Sequence, residues 1–327
     1  GEQVFKATRG IVLATGTKSA TPPIPGLTDT PFWTNHEAIE TEVVPSTLAI
    51  IGGGAIGLEL AQVFTRFGSK VTIVEVGPRI LGLEDPESSE LITSVLRSEG
   101  VTVLPGSKIL GVSHSDSEFT IELDGSAPIK AEQLLVAAGR RVELAGSGVG
   151  AYGIDESARA LPVDDHLRAA DGLWGVGDVA GKGAFTHVAM YHAAIVIADI
   201  LGNEHAPASY HALPRVTFTD PEIGAVGMTE QQARDGGLTI RTSSSPIPSS
   251  SRGWIHKAGN EGFIKLIEDA DRGVLVGATS AGPNGGEVLG ALAVAVHAEV
   301  PVATLRTMIY AYPTFHRAIE DAVSKLA

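Results

Sequence analysis

The chain has 327 residues, which is enough for two or three domains with buried cores. Apolar residues make up 43% of it and glycine contributes 39 residues, a mixture typical of α/β proteins with many tight turns. The net charge of −14 disfavours non-specific binding to nucleic acids and anionic membranes, and the lack of cysteine excludes disulfides, thiolate metal sites and cysteine nucleophiles within these residues.

The first predicted element is a strand in the apolar run GIVLATG, residues 10–16, which ends in a glycine turn. This pattern is typical of a buried strand. Because the strand begins almost at once, we expect the sequence to be a fragment that lacks an upstream segment. No stretch resembles a signal peptide, and polar residues interrupt the longest apolar run, residues 288–305. We therefore expect a soluble, cytoplasmic protein that binds neither nucleic acid nor membrane.

Residues 46–81 contain the most specific motif in the chain. An apolar strand at residues 48–51 leads directly into Gly52-x-Gly54-x-x-Gly57, and a helix and the strand KVTIVEV follow. Glycines in this β-α-β context predict a dinucleotide site. The helix is expected to end at Gly68 and to bury an apolar stripe made of Leu58, Ala61, Val63, Phe64 and Phe67.

Each part of this motif has a physical role. Gly52 permits the tight turn, Gly54 lets the backbone approach a pyrophosphate, and Gly57 lets the helix pack closely on the sheet. The pyrophosphate would lie at the helix N-terminus. Glu75, about 20 residues after Gly54, can accept ribose hydroxyls and repel a 2′-phosphate, which favours NAD over NADP. Arg79 could reach such a phosphate, so NADP stays possible.

A second glycine motif precedes a long apolar helix predicted to begin near His187. Asp178, next to Gly177, lies at a strand end where it could accept hydroxyls of a ribose or polyol, although an ordinary turn is the alternative. His187 and His192 do not have the i, i+4 spacing of a helical zinc site, so no metal site is predicted.

From about Pro207 the pattern changes to alternating apolar and polar residues with glycine and aspartate turns. This alternation predicts antiparallel strands, with helices at residues 286–298 and at the C-terminus. Before the last helix, in YAYPTFHRAIE, Thr314 is a plausible N-cap. The helix would bury an apolar stripe of Phe315, Ile319, Val323 and Leu326.

Six motifs in order resemble the FAD-dependent pyridine nucleotide–disulfide oxidoreductases, a family that includes mercuric reductase, lipoamide dehydrogenase, glutathione reductase and the soluble transhydrogenase. They are IVLATGTKSATPPIPG, IIGGGAIGLELA, LLVAAGRR, GLWGVGDVAGKGAFTHVA, VTFTDPEIGAVGMTE and YPTF. The resemblance implies an α/β protein with a doubly wound, Rossmann-type NAD domain (29–140), two parts of an FAD domain (1–28 and 141–206) and an α+β dimerisation domain (207–327). It also implies a homodimer.

The resemblance assigns nucleotide-binding roles. The NAD pyrophosphate turn would comprise Gly52, Gly54, Ala55, Ile56 and Gly57. Glu59 would meet the nicotinamide amide, and Gly139 would form a turn beside the dinucleotide. Thr15 and Gly16 would contact the adenine half of FAD, and Asp178 would bind its ribityl chain. The segment Phe185, Thr186 and His187 would face the isoalloxazine ring.

The same comparison bears on the acceptor. Disulfide-reducing relatives have His-Pro-Thr near the C-terminus and a glutamate three residues after the threonine, where this chain has Tyr312 and Arg317. A phenol with a pKa of about 10 is a poor base at neutral pH, and His316 is a weak candidate to replace it. Family members also carry upstream sequence with a first GxGxxG and usually a CxxxxC, neither of which is present here.

These observations predict a flavoprotein that passes hydride from NAD(P)H through FAD to a small-molecule or ion acceptor. Tyr312 and Glu59 are the candidate catalytic residues. Tyr312 favours mercuric-reductase-like chemistry, although another metal, a quinone or a disulfide could be the acceptor. Alternatives are a soluble transhydrogenase, a lipoamide-dehydrogenase-like enzyme and, in a different class, a non-catalytic dimeric protein that binds NAD and FAD.

Overall fold

The computed structural model describes Gln3 and residues 5–326. Its strands are β1 (Ile11–Leu13), β2 (Lys18–Ser19), β3 (Thr47–Ile51), β4 (Lys70–Val74), β5 (Thr102–Leu104), β6 (Ile109–Ser115), β7 (Glu118–Leu123), β8 (Ile129–Ala131), β9 (Gln133–Val136), β10 (Arg140–Arg141), β11 (Arg168–Ala170), β12 (Leu173–Gly175), β13 (Pro214–Thr217), β14 (Glu222–Gly227), β15 (Ile240–Pro246), β16 (Phe263–Asp269) and β17 (Val274–Gly282). Its helices are α1 (Asn35–Glu40), α2 (Ala55–Arg66), α3 (Pro86–Ser98), α4 (Thr186–Leu201), α5 (Glu230–Asp235), α6 (Ser251–His256), α7 (Gly285–His297), α8 (Val302–Thr307) and α9 (Ala318–Ser324). None of the helices in this described part has the length and apolar character needed to cross a bilayer.

The chain forms two compact units, and the first comprises residues 1–20 and 139–210. Its main sheet has the order β1-β12-β11, and β2 pairs with β10. The prediction of a buried first strand is wrong, because Ile11 and Val12 are each 44% exposed. β1 is an edge strand, and in the described part of the chain only its Leu13 packs against the apolar cluster around Leu173.

The second unit comprises residues 21–138 and 211–327. Its first part contains a parallel sheet of order β5-β4-β3-β9, in which α2 connects β3 to β4. Four of the five residues of β3 are buried, as expected for a parallel strand covered on both faces. A second, antiparallel sheet of order β6-β7-β8 lies in the same part of the chain.

The apolar face of α2 is narrower than the sequence predicts. Leu58, Ala61 and Phe64 are buried, whereas Val63 is 43% and Phe67 66% exposed. At about 100° per residue, Val63 lies about 140° and Phe67 about 180° around the helix axis from Leu58, so one face cannot bury them all. Gly68 follows the helix with φ +102, in agreement with the predicted end.

The second part of this unit is a five-stranded antiparallel sheet of order β13-β14-β17-β16-β15. The predicted antiparallel strands are therefore confirmed. The two predicted helices are also confirmed, as α7 and α9. The apolar stripe of α9 is also confirmed, since Phe315, Ile319, Val323 and Leu326 are buried. The Thr314 N-cap is wrong: α9 begins at Ala318, and the Thr314 hydroxyl donates to the Ala311 carbonyl at 2.7 Å.

A buried ammonium group connects three elements of the second unit. The side chain of Lys265, on β16, is 4% exposed. Its Nζ lies 2.7 Å from a carboxylate oxygen of Glu87 on α3, 3.0 Å from Glu230 on α5 and 3.4 Å from Asp85 just before α3. Because the Asp85 carboxylate is 3% exposed, this ion cluster depends on the lysine for charge compensation.

The α/β fold class predicted from the sequence is confirmed.

Candidate nucleotide and redox sites

The glycine turn between β3 and α2 has the geometry that a dinucleotide site requires. Gly52 has φ +111, and a Cβ on it would lie 2.4 Å from the Ala137 carbonyl oxygen. A Cβ on Gly57 would lie 2.1 Å from the Gly52 carbonyl oxygen, so the helix approaches the turn too closely for any side chain. Gly54 is the N-cap of α2 and is exposed, and a Cβ there would meet no atom within 4 Å. The turn therefore leaves open space at the helix N-terminus, where anions bind.

Ala55 and Ile56 form the first turn of α2 and are half-buried. Their amides belong to the N-terminal N–H groups that lack partners within a helix. Glu59 lies one turn further on, and its Oε1 accepts a hydrogen bond from the Phe218 amide at 2.7 Å. Burial raises the pKa of Glu59, although this hydrogen bond opposes the shift. A carboxyl group has a second oxygen, which can accept a hydrogen bond from another amide group.

Glu75 holds the turn itself. Its Oε2 accepts from the Gly53 amide at 2.7 Å and its Oε1 accepts from the Gly77 amide at 2.6 Å. The sequence predicts only ribose contacts for this residue, whereas the structure gives it a second role, in shaping the loop. Each carboxylate oxygen has a further lone pair, so ribose hydroxyls can still be accepted.

Arg79 is engaged within its own loop. Its guanidinium donates to the Leu81 and Gly82 carbonyls at 3.0 Å each and to the Glu84 carbonyl at 2.6 Å. Reaching a 2′-phosphate would require these three hydrogen bonds to break. This arrangement favours NAD over NADP.

In the first unit, Asp178 lies in a short 3-10 helix after β12 and is part of a hydrogen-bonded set of side chains. The Thr17 hydroxyl donates to Asp178 Oδ2 at 2.6 Å, and Arg140 Nε donates to the Thr17 hydroxyl at 2.6 Å. Arg140 Nε also lies 3.7 Å from Asp178 Oδ2. A cavity of about 570 Å³ is lined by these three residues together with Arg141 and Arg159. Its mixture of cations and one carboxylate suits a ligand that carries both phosphates and hydroxyls.

Thr15 and Gly16 line a neighbouring cavity of about 240 Å³, and Gly16 adopts φ +66. Gly139 adopts φ +111 in the turn before β10, where its carbonyl accepts from the Ala20 amide at 2.9 Å. Phe185 is the N-cap residue of α4, and its ring stacks on the His187 ring with centroids 5.0 Å apart. Thr186 between them begins the helix.

His192 is fully buried in α4 and positions the loop that carries Asp178. Its Nδ1 accepts from the Gly177 amide at 3.1 Å, so the neutral ring carries its proton on Nε2 and donates to the Tyr210 hydroxyl at 2.9 Å. Burial lowers the pKa of His192 and raises the pKa of Tyr210 to about 12. His192 is therefore a structural histidine.

The C-terminal segment presents Tyr312 at the surface, where it is 68% exposed. The Arg317 guanidinium lies 5.7 Å from the Tyr312 ring centroid and forms an ion pair with Glu320 at 2.7 Å. The ring of His316 contacts Tyr310, whose buried hydroxyl donates to the Leu305 carbonyl at 3.1 Å. Arg317 thus lies beside the Tyr312 phenol, at the position where a carboxylate would be needed to orient a catalytic base.

Comparison with known proteins identifies the family. A profile described as pyridine nucleotide-disulphide oxidoreductase matches residues 4–193, and a profile of the dimerisation domain of the same group matches residues 213–323. The chain belongs to the pyridine nucleotide-disulphide oxidoreductase family. The resemblance of the six sequence motifs is confirmed.

Among similar members of this family, mercuric reductase of Bacillus cereus is 33% identical over 95% of the chain. Dihydrolipoyl dehydrogenase of Chlorobaculum tepidum is 34% identical over 96% of the chain and 68% of the relative. The chain spans 50% of the Bacillus cereus protein and 58% of the mercuric reductase of Acidithiobacillus ferrooxidans. A solved structure titled HOCl-induced flavoprotein disulfide reductase RclA, from Escherichia coli, superposes with a TM-score of 0.87 at 30% identity, covering 96% of this chain and 73% of that one.

Thr17 and Arg140 are supports of the site that the sequence patterns do not predict. Thr17 and Arg140 stand directly beside predicted residues of this family, in IVLATGTK and LLVAAGRR. Their shared contact with Asp178 joins positions more than 100 residues apart. Pairing of these side chains depends on the tertiary fold, and sequence spacing alone carries no sign of it.

Proposed function

We propose that this protein is a flavin-dependent oxidoreductase that takes hydride from NADH and passes the electrons to an acceptor, of which a disulfide is the least favoured class. The observation that carries the proposal is the open turn at Gly54, which combines a helix N-terminus, two glycines that tolerate no Cβ, and the Glu75 carboxylate. The relationship to oxidoreductases along almost the entire chain supports it.

NAD would be held by Gly52, Gly54, Ala55, Ile56 and Gly57. The amides at the start of α2 would bind the pyrophosphate, and Glu75 would accept the ribose hydroxyls while keeping the turn closed. Glu59, one turn into α2 and bonded to the Phe218 amide, would orient the carboxamide of the nicotinamide. Because Arg79 is bound to three carbonyls, NADH is the proposed donor in preference to NADPH.

The residues of the first unit fit a flavin nucleotide. Asp178 would accept a ribityl hydroxyl while Thr17 and Arg140 hold its carboxylate in place. Thr15, Gly16 and Gly139 would line the nucleotide, and Phe185, Thr186 and His187 would present the N-terminus of α4 to the ring system. Bound FAD would supply the hydride-accepting and electron-transferring chemistry that side chains lack.

Tyr312 and Arg317 decide the proposed class of acceptor. A neutral phenol next to a guanidinium donates hydrogen bonds but does not remove a proton from a thiol at neutral pH. The proposal therefore places a metal ion first, as in mercuric reductase, followed by a quinone or a second nicotinamide, and a disulfide last. Reduction of a metal ion would require thiols that these residues do not contain.

A panel of acceptors tests this order. The protein would be assayed for NADH oxidation with Hg²⁺, a water-soluble quinone, a nicotinamide analogue and lipoamide. We expect lipoamide to be the slowest, because Tyr312 and Arg317 cannot act as an acid–base dyad. If lipoamide proves the fastest acceptor, the proposed class is wrong. NADH oxidation that is absent with every acceptor, including an artificial dye, would favour a non-catalytic nucleotide-binding protein.

We further propose that residues 207–327 form the dimerisation domain of a homodimer, with residues 29–140 as the NAD domain and 1–28 with 141–206 as parts of the FAD domain. The match of the dimerisation profile to residues 213–323 supports the first assignment. Sedimentation equilibrium should give twice the chain mass, and a monomer at micromolar concentration would contradict it.

A further inference from the structure

Two histidines and an aspartate come together in the first unit, outside the residues proposed to bind nucleotides. His166 precedes β11, Asp199 lies in the last turn of α4, and His205 follows that helix. One ligating atom from each lies within 4.8 Å of the other two, and all three residues are half-buried. The rings of His166 and His205 meet edge to face, with centroids 4.9 Å apart.

The hydrogen-bond geometry of His205 indicates that a positive charge is needed between His205 and Asp199. Its Nδ1 faces the Ala206 carbonyl oxygen at 3.0 Å, so Nδ1 carries a proton and donates it. In a neutral ring Nε2 is then an acceptor, yet it lies 3.3 Å from Asp199 Oδ1, which is also only an acceptor. Two acceptors at this distance need a positive charge between them. A bound cation would supply that charge, and a proton shared by the two atoms is the alternative.

A ring whose Nδ1–H donates to a backbone carbonyl while Nε2 faces outward is the arrangement by which histidine binds metals. His166 adds a second imidazole, and its Nδ1 is buried with no hydrogen-bond partner in the described part of the chain. Such a nitrogen requires a donor, an acceptor or a cation. Asp199 contributes a carboxylate that accepts hydrogen bonds from Nε and Nη2 of Arg168.

The distances fit a transition-metal ion. Ligands about 2.1 Å from a tetrahedral zinc ion lie about 3.4 Å apart. The 3.3 Å separation of His205 Nε2 and Asp199 Oδ1 therefore already has the correct value. Two ligand atoms that lie 4.8 Å apart, the upper limit in this cluster, would have to move about 1.4 Å closer together. Rotation of the side chains can produce a movement of this size. Asp199 also lines a cavity of about 520 Å³, together with Arg168 and Trp174.

We propose that His166, Asp199 and His205 form a binding site for a divalent transition-metal ion, with Zn²⁺ as the best match. Two imidazoles and one carboxylate are ligands that suit zinc, and a tetrahedral ion would complete its shell with water. Arg168, which pairs with Asp199 through both Nε and Nη2, would remain bound through Oδ2 and would share Oδ1 with the ion.

The test is calorimetric titration of chelator-treated protein with ZnCl₂. We expect one ion per chain, with an affinity that falls at least about tenfold in His166→Gln and in His205→Gln. His211→Gln is the matched control, because His211 stacks on His297 with centroids 5.6 Å apart, and this pair should not contribute to the site. Trp174 Nε1 donates to Asp199 Oδ2 at 2.7 Å, so its fluorescence should change on titration only where the site is intact.

A gain of affinity provides a test that misfolding cannot imitate. Arg168→Gln removes the positive charge that competes for Asp199 and should tighten Zn²⁺ binding several-fold. The proposal is overturned if the wild type binds no Zn²⁺, or if His166→Gln and His205→Gln bind it as tightly as the wild type.

Discussion

Replacing Gly54 by alanine separates nucleotide binding from folding. Gly54 has φ −85 and ψ −178, which alanine adopts readily, and its new Cβ would meet no atom within 4 Å. We expect the free energy of unfolding to fall by no more than about 1 kcal/mol, the preference for glycine over alanine at an N-cap, since the side chain neither collides nor removes a contact. The same methyl group would enter the space in which the pyrophosphate approaches the start of α2. The dissociation constant for NADH should therefore rise at least about tenfold, or about 1.4 kcal/mol.

Two other glycines provide the contrast. In Gly57→Ala the Cβ would lie 2.1 Å from the Gly52 carbonyl oxygen, so the helix must move, at a cost of about 1–3 kcal/mol in stability. Gly290→Ala, inside α7, also meets no atom within 4 Å and should stabilise the fold by about 0.5–1 kcal/mol without affecting NADH. NADH titration and urea unfolding of the three variants measure both effects. If Gly54→Ala binds NADH as the wild type does, the pyrophosphate does not lie against Gly54 and the proposed site is wrong.

Three further predictions concern charge. Glu75→Ala should shift the preference for NADH over NADPH in kcat/KM about tenfold toward NADPH, and an unchanged ratio would show that the carboxylate does not select the nucleotide. Lys265→Met should lower the free energy of unfolding by about 3–5 kcal/mol because it leaves Asp85 buried and uncompensated, whereas Lys130→Met, which removes an exposed pair, should leave urea unfolding almost unchanged; equal losses would contradict this. The Arg168 hydrogen bonds lower the pKa of Asp199, so this pair stabilises the fold fully above an unfolded-state pKa of about 3.9 and the contribution is lost as pH falls through the lower folded-state value. Asp199→Asn should accordingly flatten the loss of stability between about pH 5 and 2, measured with chelator present, and an unaltered profile would refute the assignment.

Local patterns in the sequence were sufficient where neighbouring residues determine the structure. Burial and turn geometry depend on residues close in the chain. The apolar run in β3 and the glycines after it therefore predict the parallel β3-α2-β4 motif, and the alternation from residue 207 predicts the antiparallel sheet. The exposure of Ile11 and Val12 was not predictable, because an apolar run does not reveal whether a second layer covers the strand.

Contacts between residues that are far apart in the chain could not be predicted from the sequence either. Lys265 meets Glu87 across 178 positions, and Asp178 meets Thr17 across 161. Thr314 has the residue type of an N-cap, but its hydroxyl bonds to the preceding turn, so the helix starts later. The cluster of His166, Asp199 and His205 matches no spacing rule for metal ligands, and only the fold brings these residues together.

The most direct test of hydride transfer is the absorbance spectrum of the purified protein before and after anaerobic addition of NADH. The proposed function predicts the visible absorbance bands of an oxidised flavin and their bleaching by about one equivalent of NADH per chain. Bleaching that persists in Gly290→Ala but needs far more NADH in Gly54→Ala would connect the reaction to the turn before α2. A bound flavin that NADH leaves oxidised would contradict the account.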